Sequence, residues 1–137
     1  MKPDYPSIAR RYLATLIDLL FVLLVMIITA YLFENESDAA ATIRIGVVLA
    51  MIFIYEPLCT SKFHTLGQGL MGIRVRKGSN HQRISIPAAY ARIVIKIFLG
   101  IISFVTIPFS RDKKGIHDFV VDSIVIHAPS KQHEETD

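Results

Sequence analysis

Charged side chains interrupt otherwise apolar stretches of this sequence, and four of them are the residues most able to do chemistry. Asp18 and Glu56 lie in the first two apolar stretches, and Arg92 and Lys96 lie in the third. An ionised side chain inside a bilayer costs roughly 3 kcal/mol, so such residues pair with one another or line a water-filled cavity. The sequence therefore predicts an intramembrane charge cluster of four residues: Asp18, Glu56, Arg92 and Lys96.

The depths of these residues agree if the apolar stretches enter a bilayer from the same side. Asp18 follows Arg11 by seven residues, which is about 10 Å along a helix at 1.5 Å per residue. Glu56 precedes Lys62 by six residues, or about 9 Å. Such charges either fix the packing of neighbouring helices or form a site for a proton, an ion or a small solute, and both interpretations stay open.

The remaining reactive residue types do not form an enzyme site. The five histidines lack the spacing that places two metal ligands on one helix face, and the single Cys59 cannot form an internal disulfide. Gly-Gln-Gly at 67–69 lacks the lysine of a phosphate-binding loop. His117 and Asp118 are adjacent, and neighbours in sequence rarely face each other as an acid–base pair. We predict no catalytic residues, no metal, no cofactor and no nucleic-acid partner.

Three apolar stretches must position the charged residues. Hydrophobic residues make up 52% of the 137 residues, more than in an ordinary globular chain. Residues 12–33 contain one charged residue, Asp18, and are long enough to cross a hydrocarbon core of about 30 Å. That length and that aspartate argue against a cleaved signal peptide.

Residues 42–61 form a second span. Residues 84–109 form a third, re-entrant or spanning region, interrupted by Pro87, Gly100 and Pro108.

The distribution of charge predicts the orientation. Residues 34–41 carry three carboxylates and no basic residue, whereas residues 62–83 carry five basic residues and no carboxylate. By the positive-inside rule the second segment is cytoplasmic, and the amino terminus is then cytoplasmic too. Arg111, Lys113 and Lys114 directly follow the third region, which favours a cytoplasmic end and hence re-entry. A third crossing stays open as the alternative.

Two short segments have the pattern of strands. Residues 71–76 alternate apolar and polar side chains before turn residues at 78–80, and residues 123–128 are the other strand-like run. We predict that the two pair on the cytoplasmic face and that residues 129–137 form a disordered polar tail. The predicted fold is an all-α membrane domain over residues 1–128, with two transmembrane helices, a third membrane-embedded helical region and a small two-stranded β element.

The sequence resembles the RDD family of small bacterial multi-pass membrane proteins, named for an arginine and two aspartates. The resemblance rests on four stretches in the family's order: Arg-Tyr-Leu-Ala-Thr-Leu-Ile-Asp at 11–18, Thr-Leu-Gly-Gln-Gly-Leu-Met-Gly-Ile-Arg-Val at 65–75, Ala-Ala-Tyr-Ala-Arg at 88–92 and Lys-Gly-Ile-His-Asp at 114–118. It implies that Arg11, Asp18 and Asp118 are the signature residues. Arg10 is one residue further from the Ala-x-x-x-Asp pattern and is the weaker candidate for the arginine.

The sequence departs from the family pattern at two positions. Gln68 stands where the family commonly has a lysine, and Asp122 stands where a small or amide residue is usual. The first departure removes any role that depends on a lysine there. The resemblance implies a location in the bacterial inner (cytoplasmic) membrane, and sodium–proton antiport or other transport has been proposed for some family members.

Two functions stay open at this point. In the first, the intramembrane charge cluster carries a monovalent cation, a proton or a small solute, and the small number of spans requires a homo-oligomer to enclose a path. In the second, the protein is a non-transporting accessory, assembly or interaction subunit. Its cytoplasmic strands and the turn at His117 and Asp118 then bind a membrane protein partner. A simple turn or capping role is an equal alternative for Asp118.

Overall fold

The fold is built on two long apolar helices. The computed structural model describes residues 5–34, 37–100, 102, 105–111 and 114–128, and the predicted tail at 129–137 lies outside them. The first helix, α1, is Ile8–Leu32, and Ser7 caps it by accepting a hydrogen bond from the Arg10 backbone N–H at 3.3 Å. The second helix consists of three consecutive parts, which are α2 (Asp38–Ala50), a π-helical turn (Met51–Tyr55) and α3 (Glu56–Lys62).

Both helices have the length and composition needed to cross a membrane. The apolar segments that meet this criterion are Ile8–Leu32 and Asp38–Leu70. In α1 only Arg11, Ala14 and Thr29 are buried, so most of its leucine and isoleucine side chains face outward and do not pack into a protein core. This exposure agrees with the prediction of two spans, because lipid is the environment in which such a surface is stable.

The π-helical turn lies directly before Pro57. Proline lacks an N–H and its ring clashes with the carbonyl four residues earlier, so an uninterrupted α-helix is unfavourable there. In the wider turn the Glu56 N–H donates to the carbonyl of Met51, five residues back. Tyr55 in this turn also packs on Phe21 of α1, with 5.6 Å between ring centroids. The turn therefore helps to join the two long helices.

A short helix and a two-stranded sheet follow. Helix α4, Leu66–Leu70, begins at Thr65, whose hydroxyl accepts from the Gln68 N–H at 3.4 Å while the Gln68 side chain accepts from the Thr65 N–H at 3.4 Å. Strand β1, Ile73–Lys77, pairs antiparallel with β2, Ser123–His127. The predicted two-stranded element is thus confirmed.

The third apolar region begins with a short helix that ends at a glycine. Helix α5, Ile86–Leu99, has 14 residues, which is about 21 Å and less than the hydrocarbon thickness of about 30 Å. It ends at Gly100, whose φ of +48° is a backbone conformation that favours glycine. A single 3-10 turn, Ile107–Phe109, and helix α6, Ile116–Val120, come later in the chain.

The buried core lies where the sheet meets the first turns of α1. Its members are small or branched apolar side chains contributed by α1, β1, α5, β2 and the segment before α5. They are Ala14, Ile73, Val75, Ile84, Ala89 and Val125. This core holds the sheet against the amino-terminal end of α1 and so brings the charged residues of four elements together.

Candidate functional site

Asp118 is fully buried and binds two arginines from two different helices. Its Oδ2 accepts a hydrogen bond from Nη2 of Arg11 at 2.5 Å, and its Oδ1 accepts from Nη2 of Arg92 at 2.7 Å. The hydroxyl of Ser123 at 3.0 Å and the backbone N–H of Gly115 at 3.3 Å also donate to this carboxylate. We refer to Arg11, Arg92 and Asp118 as the Asp118 clamp, because they join α1, α5 and α6 at one point.

The Asp118 clamp keeps its carboxylate ionised. Burial alone would raise the pKa of Asp118, but the guanidinium groups of Arg92 and Arg11 outweigh burial and hold that pKa well below its usual range. One negative charge is therefore shared by two positive charges. Ser123 and Gly115 complete the hydrogen bonding that a buried carboxylate requires.

His117 is buried beside the same carboxylate. It is 1% exposed, and its Nε2 lies 3.6 Å from Oδ1 of Asp118. Burial lowers the pKa of His117 to about 3, and the positive charges of Arg92, Lys96 and Arg11 act in the same direction against the opposing charge of Asp118. The imidazole is therefore neutral at physiological pH.

This buried histidine makes the stability of the fold depend on pH. The unfolded chain binds a proton at His117 near pH 6.5, whereas the folded chain binds it only near pH 3. The folded state therefore loses stability as the pH falls below 6.5, by about 2 kcal/mol between pH 7 and pH 5. Thermal unfolding of the detergent-solubilised protein at these pH values measures the effect.

The matched variants for this measurement are two histidine replacements. His117→Gln removes the titrating group and should flatten the dependence between pH 7 and pH 5, whereas His81→Gln at an exposed position should leave it unchanged. An equally steep loss of stability in His117→Gln would contradict the assignment.

Asp18 anchors the short helix α4 to α1. Its Oδ2 accepts from the hydroxyl of Thr65 at 2.6 Å, and its Oδ1 accepts from the backbone N–H of Gly67 at 2.8 Å. A Cβ on Gly67 would lie 1.9 Å from the carbonyl oxygen of Ala14, so only glycine permits this approach of the two backbones. The first-helix aspartate thus binds the amino-terminal end of α4, where free N–H groups favour a negative charge.

Glu56 and Lys96 form a separate ion pair. Nζ of Lys96 donates to Oε1 of Glu56 at 2.6 Å and joins α5 to α3. The side chain of Lys96 is 23% exposed and that of Glu56 is 32% exposed, in contrast to the fully buried Asp118. This pair is therefore the most accessible ionic contact among the predicted site residues.

The structure distributes the four residues of the intramembrane charge cluster over three contacts. Asp18 binds α4, Glu56 binds Lys96, and Arg92 binds Asp118 instead of an acid of the first two stretches. The physical reason is that α6 directly precedes β2 in the chain. When β2 pairs with β1, α6 packs against α5 and Asp118 lies within reach of Arg92. The predicted turn at His117 and Asp118 is the first turn of α6.

A partly open cavity of about 290 Å³ lies between these contacts. The charged and titratable residues that line it are Arg11, Asp18, Tyr55, Glu56, Arg92, Lys96 and His117. The rest of the wall is mostly apolar and includes Leu19, Val22, Met51 and Ile52. Nε of Arg92 is buried and has no hydrogen-bond partner among the described residues. The cavity therefore offers both charges and apolar surface to a small ligand.

Thr65, Gly67 and Ser123 bind the aspartates, and the sequence reasoning did not identify them as site residues. Thr65 and Gly67 belong to the Thr-Leu-Gly motif that carries the family resemblance, so that motif was the available signal. Ser123 belongs to the Asp-Ser-Ile-Val-Ile stretch at 122–126, which also carries the resemblance, but its contact with Asp118 depends on the turn between α6 and β2.

The two departures from the family pattern have structural counterparts. Gln68 completes the capping box of α4 with Thr65. Asp122 has a φ of +47°, a left-handed conformation that asparagine tolerates well, and its Oδ1 lies 3.3 Å from Nζ of Lys114. Within the described ranges, no group of three histidine, cysteine, aspartate or glutamate side chains is placed to hold a metal ion.

Comparison with known proteins identifies one family. The sequence model of the RDD family matches residues 5–122, which includes Arg11, Asp18 and Asp118. The chain has no significant match among curated proteins or solved structures. The matched region covers most of the 137 residues, and it contains both long helices, the short helices, β1 and all the residues that line the cavity except Val125.

Proposed function

This chain belongs to the RDD family, and on that premise we propose that it is an inner-membrane protein that binds and transports a small charged ligand. The ligand is an ion, a proton or a small solute, and its site is the cavity at Asp18, Glu56 and Lys96. Family membership and the two long apolar helices fit a membrane protein. The observation that carries the proposal is the cavity, because ionisable residues at membrane depth commonly mark the path of a ligand.

The sheet supports a cytoplasmic amino terminus and a re-entrant third region. Strand β1 precedes α5 and β2 follows α6, and two hydrogen-bonded strands lie on the same side of a membrane. The chain between them therefore enters and leaves on one side. The five basic residues of segment 62–83 favour the cytoplasmic side. Helix α5 is also shorter than a hydrocarbon core.

Transport by this chain requires more than one copy. Two spanning helices and one re-entrant helix are too few to enclose an aqueous path across a bilayer, and symmetric homo-oligomers are the usual solution. We therefore include a homo-oligomer in the proposal. Cross-linking of the purified protein in lipid measures its stoichiometry.

Glu56→Gln is the sharpest test of the proposal. Glu56 belongs neither to the Asp118 clamp nor to the anchor of α4, whereas Asp18→Asn would also weaken the packing of α4. We expect flux of sodium ions or protons into liposomes that carry an imposed gradient to fall by about tenfold or more, because a charged contact is lost. The amount of folded protein should stay close to that of the wild type.

Asp122→Asn is the matched control for this test. It removes the carboxylate of a surface pair with Lys114, and neither residue lines the cavity at Glu56. Its flux should equal that of the wild type. Equal flux in Glu56→Gln and wild type, or no flux of any tested ion, would contradict the transport proposal.

An accessory role is the second candidate, and a specific surface favours it. Phe119 and Val120 of α6 are 71% and 65% exposed, beside the Asp118 clamp and outside the two long helices. Exposed apolar side chains of this size commonly mark the contact with a partner. Recovery of a stoichiometric membrane protein in mild detergent, together with no ion flux, would favour this role over transport.

A further inference from the structure

The polarity of the cavity wall changes in the same direction along both long helices. On α1 the lining begins with Arg11 and continues through Asp18 to the apolar Val22. On the second helix, which runs the opposite way, Glu56 lines the polar part and Met51 lines the apolar part. Along the two long helices the lining is therefore charged towards the sheet and apolar towards the middle of the helices, while the sheet itself contributes the apolar Ile73, Val75 and Val125.

We propose that this cavity binds a phospholipid whose headgroup carries both a phosphate and a primary ammonium group, as in phosphatidylethanolamine. The inference goes beyond the proposed function, because it assigns a lipid to the cavity in which that function places an ion or a small solute. An ion alone would leave the apolar part of the wall in contact with water, whereas an amphiphile covers it. The wall thus favours a lipid over a free ion.

The phosphate site is formed by two cationic residues of α5. Arg92 and Lys96 are one helical turn apart, and both line the cavity. Nε of Arg92 is buried without a hydrogen-bond partner among the described residues, and the Arg92 side chain is otherwise fixed by Asp118. A phosphate in the cavity is attracted by both cations and accepts charge-assisted hydrogen bonds from donors that face it.

The ammonium site is formed by carboxylates of the two long helices. Glu56 and Asp18 line the same cavity as the two cations. A primary ammonium has three N–H donors, whereas the quaternary ammonium of phosphatidylcholine has none. The site therefore distinguishes the two headgroups by hydrogen bonding at equal charge.

The size of the cavity fits a headgroup better than a complete lipid. About 290 Å³ is near the lower limit of ligand pockets. The acyl chains then leave the cavity past Leu19 and Val22 and lie against the outward-facing apolar surface of the helices.

Native mass spectrometry of the full chain in detergent tests the proposal. The protein is mixed with dioleoyl-phosphatidylethanolamine, dioleoyl-phosphatidylcholine or dioleoyl-phosphatidylglycerol at equal concentrations. We expect the first lipid to be retained about tenfold more than the second, because charge-assisted hydrogen bonds to the ammonium are lost. Soluble phosphoethanolamine at the same concentration should not displace the lipid, since it lacks acyl chains.

Four variants separate the two headgroup contacts from nonspecific effects. Glu56→Gln should reduce retention of phosphatidylethanolamine to the level of phosphatidylcholine. Lys96→Met should reduce retention of all three lipids, because each carries a phosphate. Lys114→Met is the control, since Lys114 pairs with Asp122 and does not line this cavity. The double variant Glu56→Lys with Lys96→Glu preserves the ion pair between α3 and α5 and should still lose the preference.

The outcomes distinguish this inference from the proposed function. Equal retention of the three lipids, preference for phosphatidylglycerol, full displacement by phosphoethanolamine, or wild-type preference in the double variant would each overturn the lipid assignment. Ion flux that depends on Glu56 without lipid preference would leave the transport proposal intact. A preference for phosphatidylethanolamine without any ion flux would support the lipid site and contradict the proposal of ion transport.

Discussion

Asp118→Asn should lower the free energy of unfolding by about 3–5 kcal/mol, because the amide leaves two buried guanidinium groups without their counter-charge. Arg11 and Arg92 are 7% and 5% exposed, so water cannot replace the lost carboxylate. Folded proteins are stable by only about 5–15 kcal/mol, so the amount of folded protein in membranes should also fall. Denaturant unfolding in detergent, followed by circular dichroism, measures the loss.

Two neighbours in sequence provide matched controls for this prediction. Asp122→Asn removes a carboxylate whose side chain is 61% exposed, and surface pairs contribute about 1 kcal/mol or less. Arg10 is exposed and adjacent to Arg11, so Arg10→Gln should be nearly neutral where Arg11→Gln is strongly destabilising. Equal effects at Asp118 and Asp122 would show that the Asp118 clamp does not stabilise the fold.

Gly67→Ala should displace α4 from α1 and destabilise the protein by about 3 kcal/mol, the sum of overpacking and of a lost hydrogen bond to a carboxylate. The added methyl group would lie 1.9 Å from the backbone oxygen of Ala14, and a backbone atom inside a helix cannot move aside. The movement also separates the Gly67 N–H from Asp18. Thermal unfolding in detergent measures the loss, and limited proteolysis around α4 reports the displacement.

Gly46→Ala is the control for the glycine substitution. Gly46 lies inside α2, and apart from its chain neighbours and the backbone of its own helix no atom of the described residues would be within 4 Å of a Cβ there. Alanine favours a helix over glycine, so this variant should be unchanged or more stable by about 1 kcal/mol. Similar destabilisation by the two glycine substitutions would contradict the close approach of α4 to Ala14.

Local patterns in the sequence predicted the elements, because helices and strands depend on residues that are near one another in the chain. The long apolar run, broken only by Asp18, predicted α1, and the alternation of Ile73, Arg74, Val75 and Arg76 predicted β1. The π-helical turn was not predicted. Pro57 does not by itself give the form of the disturbance, since a proline can also end or kink a helix.

The partners of the charged residues were harder to predict than their depths. Residue counts along a helix give a position along the membrane normal, but they do not give the side of the helix on which the partner lies. Asp118 lies after the third apolar stretch, and counting residues within the apolar stretches therefore does not identify it as a partner of Arg92. Its contact with Arg11 joins residues 107 positions apart and depends on the pairing of β1 with β2.

The same long separation orders the steps by which the protein is made. Arg11 and its carboxylate partner are separated by 107 residues, so their contact forms only after both have been translated. Until then neither guanidinium group has the carboxylate that they share, and the Asp118 clamp does not yet join α1 to α5. A chain truncated before residue 118 should therefore be less tightly packed than the full chain, and its exposed surface should make it more prone to aggregate.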